Sequence, residues 1–489
     1  MEKIFNKTNA LVFVLVTAAW RAYVSATLQL HPDEAYYWLW SRHLALGYYD
    51  HSPFVAYFIR LTTLFSQNEF SVRLSGIIGL LILSWLCWKL AMQLFGSETA
   101  AAAGVIIFNS LPLVLSGSII ITPDLPAFFF WSLSAYFAWQ ISRTGKAFYW
   151  YLLGGSFGLC LLSKYTAVLF VPSFLLFVIF TDERKWLKTV HPYLALAVGF
   201  ACFLPVVYWN SVHQWISFKF QMGHGLGGQK YSLGKLVEYI GGQLMVAGPF
   251  LWPAGMYACF VFLFKKDKPK LFLSLLTLPI ILFFAYSSLK KSAGPNWPAT
   301  AYFTFSIIAG AYFTEGGRFR KAVLWLALIT SFSLSVVAML HTRFTIIPLH
   351  KINKDMAEAD ATQFFYGYRE LGEEILRHPE VKFALTASHQ LSAEIAYYTK
   401  EKVFAYVDTK LTRTSQFNFW DFPEDLKDKD GLYIYLEGDG VGPYKDYFVS
   451  TGEILHLNIF RKGYPLRSYR MIKGHGFIPE KKQDSADKK

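Results

Sequence analysis

Five stretches of this chain combine acids, cations and ring nitrogens with proline or glycine in patterns that could support group transfer. The first is His31-Pro32-Asp33-Glu34. Proline suits a first helical turn and acids there meet the positive end of the helix dipole, so capping accounts for it as well as chemistry does. As chemistry, Asp33 or its neighbour Glu34 would be a general base toward an acceptor hydroxyl or amine. Tyr48-Tyr49-Asp50-His51-Ser52-Pro53 sets an acid beside an imidazole. Asp50 either caps a turn or, with His51, holds a metal or touches substrate. Thr122-Pro123-Asp124 places another acid in a very short turn, as a helix cap or a second site carboxylate. Lys164 interrupts a long apolar stretch, either snorkelling to the surface or waiting as a fixed cation for a phosphate. The fifth stretch, 209–235, holds His213, Lys219, His224 and Lys230, with Gly223, Gly225, Gly227 and Gly228 around His224. Glycine at that density suits a loop that approaches a ligand, although a loop histidine is more often simply solvated. Lys290-Lys291 and Gly294-Pro295-Asn296-Trp297-Pro298 complete the set.

The elements that must position these groups are membrane helices. The chain is 54% hydrophobic and 18% aromatic, and apolar runs long enough to cross a bilayer recur up to about residue 342. We expect about eleven spans, near 9–30, 72–95, 99–121, 123–141, 147–163, 165–181, 190–210, 236–264, 271–288, 298–315 and 320–342. No small-residue cleavage site follows the first run, so it reads as a retained span. The net charge of +13 does not imply nucleic acid, because the cations sit in short loops between apolar runs. Arg143 and Lys146, then Arg184, Lys185 and Lys188, then Lys265, Lys266, Lys268 and Lys270, then Arg318, Arg320 and Lys321 all fall on one side if the N-terminus is cytoplasmic. Every stretch named above then lies on the other, periplasmic side, and the spans are largely free of mid-membrane charge.

In the first outer loop, Pro53 opens an apolar stretch with helical spacing that reads as an interfacial helix, with Arg60 toward headgroups. The stretch 32–46, with Tyr36, Tyr37, Trp38 and Trp40, reads the same way, as an aromatic interface belt. Residues 343–489 change to mixed composition, with strands at 383–387 and 431–436, a short helix at 392–399 and a charged, disordered tail. The division is therefore a transmembrane domain over 1–342 and a small soluble α/β domain over 343–489. Cys87, Cys160, Cys202 and Cys259 all lie in apolar runs and make neither a disulfide framework nor a zinc site.

There is no phosphate-binding Gly-x-x-x-x-Gly-Lys-Ser/Thr loop and no cytoplasmic segment long enough for a nucleotide fold, so no nucleotide is expected. A lipid-linked substrate meets the remaining constraints: an apolar tail for helix grooves and a phosphate for cations. The phosphate is already a leaving group, so the protein must stabilise negative charge and deprotonate an acceptor.

On Asp33-Glu34, Tyr49-Asp50-His51-Ser52-Pro53-Phe54, Val72-Arg73-Leu74, Thr122-Pro123-Asp124, Leu162-Ser163-Lys164 and Gly294-Pro295-Asn296-Trp297-Pro298, the chain resembles bacterial membrane glycosyltransferases of the C-type fold. These are related to protein O-mannosyltransferases and to the aminoarabinose and galacturonic acid transferases of lipid A. The resemblance covers roughly residues 9–310 and, more loosely, the C-terminal domain. It implies an inverting enzyme that takes a sugar from polyprenyl phosphate, with Asp33 as base, Asp124 lining the site and Lys164 facing the donor phosphate. Arg60, Lys290 and Lys291 are expected as further phosphate cations, and Tyr49, His51, Asn296 and Trp297 as substrate contacts. It also raises a divalent metal on Asp50 and His224, with His213 competing for the histidine position. Ser52 departs from the commoner proline. Residues 387–398 match an outer-domain segment of these relatives whose role is open.

The expected acceptor is lipid A, its core or another envelope glycolipid, at a bacterial inner membrane. A protein acceptor, a ligase or polymerase moving whole glycans, and a lipid transporter or flippase are the alternatives. A transporter would call for broken, charged helices at mid-membrane.

Overall fold

The computed structural model describes the chain apart from residues 228–230, 266, 409–412, 421–422, 439–441, 443 and 479–489 and the side chains of 224–226, 354 and 424. It divides into two compact units, one of Met1–Thr27 with Leu44–Leu340 and one of Leu28–His43 with His341–Lys489. The sequence-based division at 342 had left 28–43 with the membrane domain. In the structure that segment groups with the C-terminal part of the chain.

The larger unit is helical. Among the described residues, Lys7–Thr27, Glu69–Phe95, His191–Val212, Lys268–Ser288 and Arg318–Phe344 are each long and apolar enough to cross a membrane, and two bent pairs, each taken as one span, raise the number to seven. Several expected spans are interrupted where the sequence supplies a breaker. The run 99–121 splits into Glu98–Ser110 and Pro112–Gly117, because Pro112 lacks the N–H a continuous helix needs. The run 236–264, read as one span, is two helices, Leu233–Ala247 and Leu251–Leu263, bent by 99°. Gly248 makes the bend with φ +102°, and a Cβ there would lie 2.8 Å from Ser331 Cβ.

Two helices that are apolar on every face run through the core. All fourteen residues of Ala301–Thr314 are buried, and it packs on the alanine-rich helix Glu98–Ser110. The two backbones meet at Gly310, where a Cβ would lie 2.5 Å from Gly104 N and 2.7 Å from Ala100 O. Small residues allow this approach where lipid offers no hydrophobic drive between helices. Arg21 also lies inside this bundle, within the first span, and is fully buried. Its guanidinium donates to Asn109 Oδ1 at 3.2 Å and Asn109 O at 3.0 Å, while Asn109 donates to Ser84 Oγ at 2.9 Å. Arg21 is thus an exception in spans expected to be largely free of internal charge, and carbonyl and amide oxygens substitute for water around it.

The smaller unit is built on a five-stranded mixed sheet: β1 (Phe383–Thr386), β2 (Phe404–Val407), β3 (Gly431–Leu436), β4 (Phe448–Arg461) and β5 (Tyr464–Phe477), in the order β2-β1-β3-β5-β4. β1 pairs parallel with β2 and β3; β5 pairs antiparallel with β3 and β4. The expected strands are β1 and β3, and the expected helix is His389–Tyr398. The long β4–β5 hairpin closes through Lys462 and Gly463, both at positive φ, as a two-residue turn requires. Arg461 anchors this hairpin: it bonds the carbonyls of His341 and Thr342 at 2.9 and 3.0 Å and lies 3.4 Å from Asp360.

Helix Pro32–Arg42 belongs to this unit and corrects the interface-belt expectation, since nine of its eleven residues are buried. Tyr36 packs on His389 at 4.8 Å and Trp38 on Tyr397 at 4.9 Å. Aromatic residues spread around the whole helix leave it no polar face with which to float on a membrane. By contrast Phe54–Thr62 is amphipathic, with Val55, Ala56 and Ile59 buried and Leu61, Leu64 and Phe65 at its end exposed, as expected of an interfacial helix.

Two outcomes follow. Gly310→Val should cost about 1–3 kcal/mol of stability, while Gly155→Val, where nothing lies within 4 Å, should leave the thermal midpoint of the purified protein unchanged. Burial pushes the Asp360 carboxyl up, but hydrogen bonds from Thr362 and His341 outweigh it and hold the group below its usual 3.8. A carboxyl lowered by folding stabilises the fold above that pH and loses its contribution as pH falls through the lowered value. The stability gap between the parent protein and Asp360→Asn, measured by denaturant titration, should therefore be constant at neutral pH and close below pH 3.8.

Candidate functional site

Within the helical unit, four of the motif segments are joined at one place. Asp124 opens helix Asp124–Thr144, where the dipole favours an acid. Helix Phe148–Leu161 ends just before Lys164, whose backbone is extended (φ −155°, ψ 133°) and whose N–H reaches back to Cys160 O at 3.0 Å. Lys164 Nζ donates to Asp124 Oδ1 at 2.5 Å, and both side chains are largely enclosed. Asn296 Nδ2 donates to the other oxygen, Oδ2, also at 2.5 Å. Thr122 Oγ1 is 3.4 Å from that same oxygen.

The segment around Ser52 docks on the same helix end. Ser52 Oγ donates to Leu161 O at 2.9 Å and Phe54 N to Leu162 O at 3.1 Å, satisfying carbonyls that a helix terminus leaves open. Serine at position 52 thus supplies a donor that a proline would lack. Beside it Asp50 is buried, its backbone carbonyl accepts from Gln221 Nε2, and the same amide nitrogen is 3.2 Å from His51 Nδ1. Tyr49 packs on Phe220 at 4.8 Å.

Next to Asp124 opens a narrow hollow of about 40 Å³ lined by Leu80, Leu83, Phe108, Leu113, Val114 and Phe128, together with Ala299 and the small residues Gly76, Gly117 and Ser118. It is a greasy space with a carboxylate, and through it a lysine and an amide, at its lip.

The far end of the same helix carries the opposite kind of cluster. Ser142 Oγ donates to Glu183 Oε1 at 3.0 Å, and Lys268 pairs with that oxygen. These residues come from three loops assigned by charge to the cytoplasm. A 21-residue helix is about 30 Å long, the thickness of a hydrocarbon core, so the two clusters lie a bilayer apart.

Other expected residues are placed elsewhere. Lys290 Nζ lies over the rings of Tyr231 and Tyr286, each at 5.5 Å, and Lys291 Nζ is 3.3 Å from Gly223 O. Both share a loop with Asn296 but point to other partners. Arg60 is half-buried in the last turn of helix Phe54–Thr62 and is not among the groups meeting at Asp124. Trp297 packs on Phe284 at 5.8 Å. His213 stacks on Trp209 at 4.0 Å and its Nδ1 is 2.7 Å from Trp209 O. The side chain of His224 lies outside the described residues. Among the described residues no three His, Cys, Asp or Glu groups converge as metal ligands.

Asp33 and Glu34 lie in the smaller unit and differ in environment. Glu34 is fully buried and its Oε2 accepts from His31 N at 2.9 Å, closing a capping box. Asp33 is the more open acid, its side chain 42% exposed, with Oδ1 accepting from Gln390 Nε2 at 2.7 Å. Sequence reasoning singled out neither Gln221 nor Gln390. Gln390 falls in the segment 387–398, whose resemblance to the relatives was the available signal.

The profile of the dolichyl-phosphate-mannose-protein mannosyltransferase family matches residues 50–209. The lipid A galacturonosyltransferase RgtD of Rhizobium johnstonii is 27% identical over 314 residues, a stretch that covers 62% of this chain and 64% of that protein. Crystal structures of ArnT from Cupriavidus metallidurans superpose with a TM-score of 0.64 for the form bound to undecaprenyl phosphate and 0.63 for the apo form. Each is 15% identical, with 94% of this chain and 97% of ArnT covered. The fold is thus the C-type glycosyltransferase fold, a polytopic helical membrane domain with a small sheet-containing domain.

The pair at the site gives a stability outcome. Lys164→Met strands Asp124 without its cation and should cost about 2 kcal/mol, less than a fully enclosed pair would lose. Adding Asp124→Asn should return most of that loss in the thermal midpoint, since two neutral groups remain.

Proposed function

We propose that this protein is an inverting glycosyltransferase that moves a sugar from a polyprenyl phosphate donor to lipid A, its core or another envelope glycolipid at the periplasmic face of the inner membrane. The observation that carries the reading is the Asp124, Lys164 and Asn296 group at the mouth of an apolar hollow. Leucines and phenylalanines line the narrow hollow with the apolar surface an isoprenoid tail would need as the cleft widens to admit it, and its phosphate would meet Lys164 Nζ and Asn296 Nδ2, donors that Asp124 now engages. The likeness to a lipid A galacturonosyltransferase supports the acceptor class.

In the reaction the acceptor hydroxyl oxygen attacks the anomeric carbon, the bond from that carbon to the phosphate oxygen breaks, and polyprenyl phosphate leaves with both electrons. Attack opposite the leaving group inverts the centre. Lys164 stabilises the charge growing on the phosphate, and Asp33 takes the acceptor's proton. We propose Asp33 over Glu34 because Glu34 is committed to the helix cap. We also keep a divalent cation at Asp50 with His224 as a proposal. Chelation that leaves turnover unchanged would remove it.

The match to protein mannosyltransferases over 50–209 favours one second reading, a protein acceptor. Mass spectrometry of envelope lipids and of envelope proteins, with and without the gene product, separates the two. Asp33→Asn should abolish the product while the protein still folds, and Lys164→Ala should lower turnover roughly 10²-fold. Full activity in Asp33→Asn would remove the base assignment. Sidedness has its own check: a cysteine at exposed Ser292 should react with an impermeant maleimide in spheroplasts, and one at exposed Lys146 only after permeabilisation.

A further inference from the structure

We propose that Gln390 is a positioning residue for Asp33, and that helix His389–Tyr398 holds the acid's segment in its working geometry. The inference rests on the reading of Asp33 as base.

Segment 28–43 is bonded to the C-terminal part of the chain along its length. The Gln29 side chain donates to Glu370 at 2.8 Å and accepts from the N–H groups of Tyr368 and Arg369 at 2.9 and 3.2 Å. Leu30 N donates to Tyr398 OH at 2.8 Å. Tyr36 OH accepts from Gln416 N at 2.7 Å, and Arg42 pairs with Glu401 at 2.8 Å. Such a sequence of tethers leaves the helix from Pro32 little freedom to slide or rotate.

At Asp33 the tether is of a different kind. Gln390 lies in the first turn of His389–Tyr398, a helix of ten residues capped by Ser388 and free of acids in that turn. Asp33 itself lies in the first turn of its own helix. The carboxylate therefore sits in the first turn of one helix, whose dipole favours an anion, and is held by a side chain from the first turn of another. Gln390 Nε2 holds Oδ1 at 2.7 Å. His31 Nδ1 lies 3.9 Å from Oδ2. That nitrogen accepts from Asp33 N at 3.2 Å, so it is turned toward the backbone of its own helix turn. One oxygen is fixed and its partner stays open to receive a proton, the arrangement a general base requires. The carboxamide suits this role because it donates without carrying charge.

The test uses the full-length enzyme, with the donor and acceptor lipids identified by mass spectrometry as substrates. Gln390→Met keeps length and removes the donor. It should lower kcat about tenfold, the worth of one such bond, with donor KM and thermal midpoint nearly unchanged. If Asp33→Asn is inactive while Gln390→Met keeps the parental kcat, or if Gln390→Met lowers the thermal midpoint and raises donor KM along with the loss of kcat, this inference is overturned and the base reading survives. If Asp33→Asn is fully active, both fall.

Discussion

An ammonium group can lie at the edge of a cleft made of leucine and phenylalanine only if something replaces the water it has lost. Asp124 does this for Lys164, and Asn296 completes the carboxylate's second oxygen. The requirement ties together three parts of the chain that are far apart in sequence: the turn before helix Asp124–Thr144, the break after Phe148–Leu161, and the loop ahead of Ala301–Thr314. Helices that carry those groups must end at a common level. The bent and broken helices of the bundle are then no irregularity, because proline and glycine set where each helix stops.

That level was legible from sequence. Charges near lipid are too costly to be scattered, so their placement between apolar runs grouped the loops by side, and short motifs marked which loops meet. The Ser142, Glu183 and Lys268 contact joins loops that basic residues alone had put on one side. The pairing of Lys164 with Asp124 follows from the same logic once both are placed at the outer ends of their helices.

Other features were not legible, for physical reasons. Helix Pro32–Arg42 reads as a surface anchor because tyrosine and tryptophan favour both membrane interfaces and packed cores, and composition does not separate the two. Its burial depends on partners more than 300 residues away, such as Tyr397 and Gln416. Arg21 was passed over because one cation in a long apolar run scarcely changes average hydropathy, and the oxygens that solvate it come from Asn109 on another helix. The β4–β5 hairpin has a short Lys-Gly turn signal and a weak alternation that a half-exposed sheet produces.

The discontinuous make-up of the smaller unit has a consequence for biosynthesis. Residues 28–43 leave the ribosome with the first span, but the sheet and helices that clasp them are encoded after residue 341. At roughly 5–20 residues per second, the aromatic helix waits on the order of half a minute for its partners, its tryptophans accessible to chaperones and proteases alike. Maturation of the acid-bearing segment is thereby coupled to completion of translation, and an unfinished chain carries a recognisable mark of its own incompleteness.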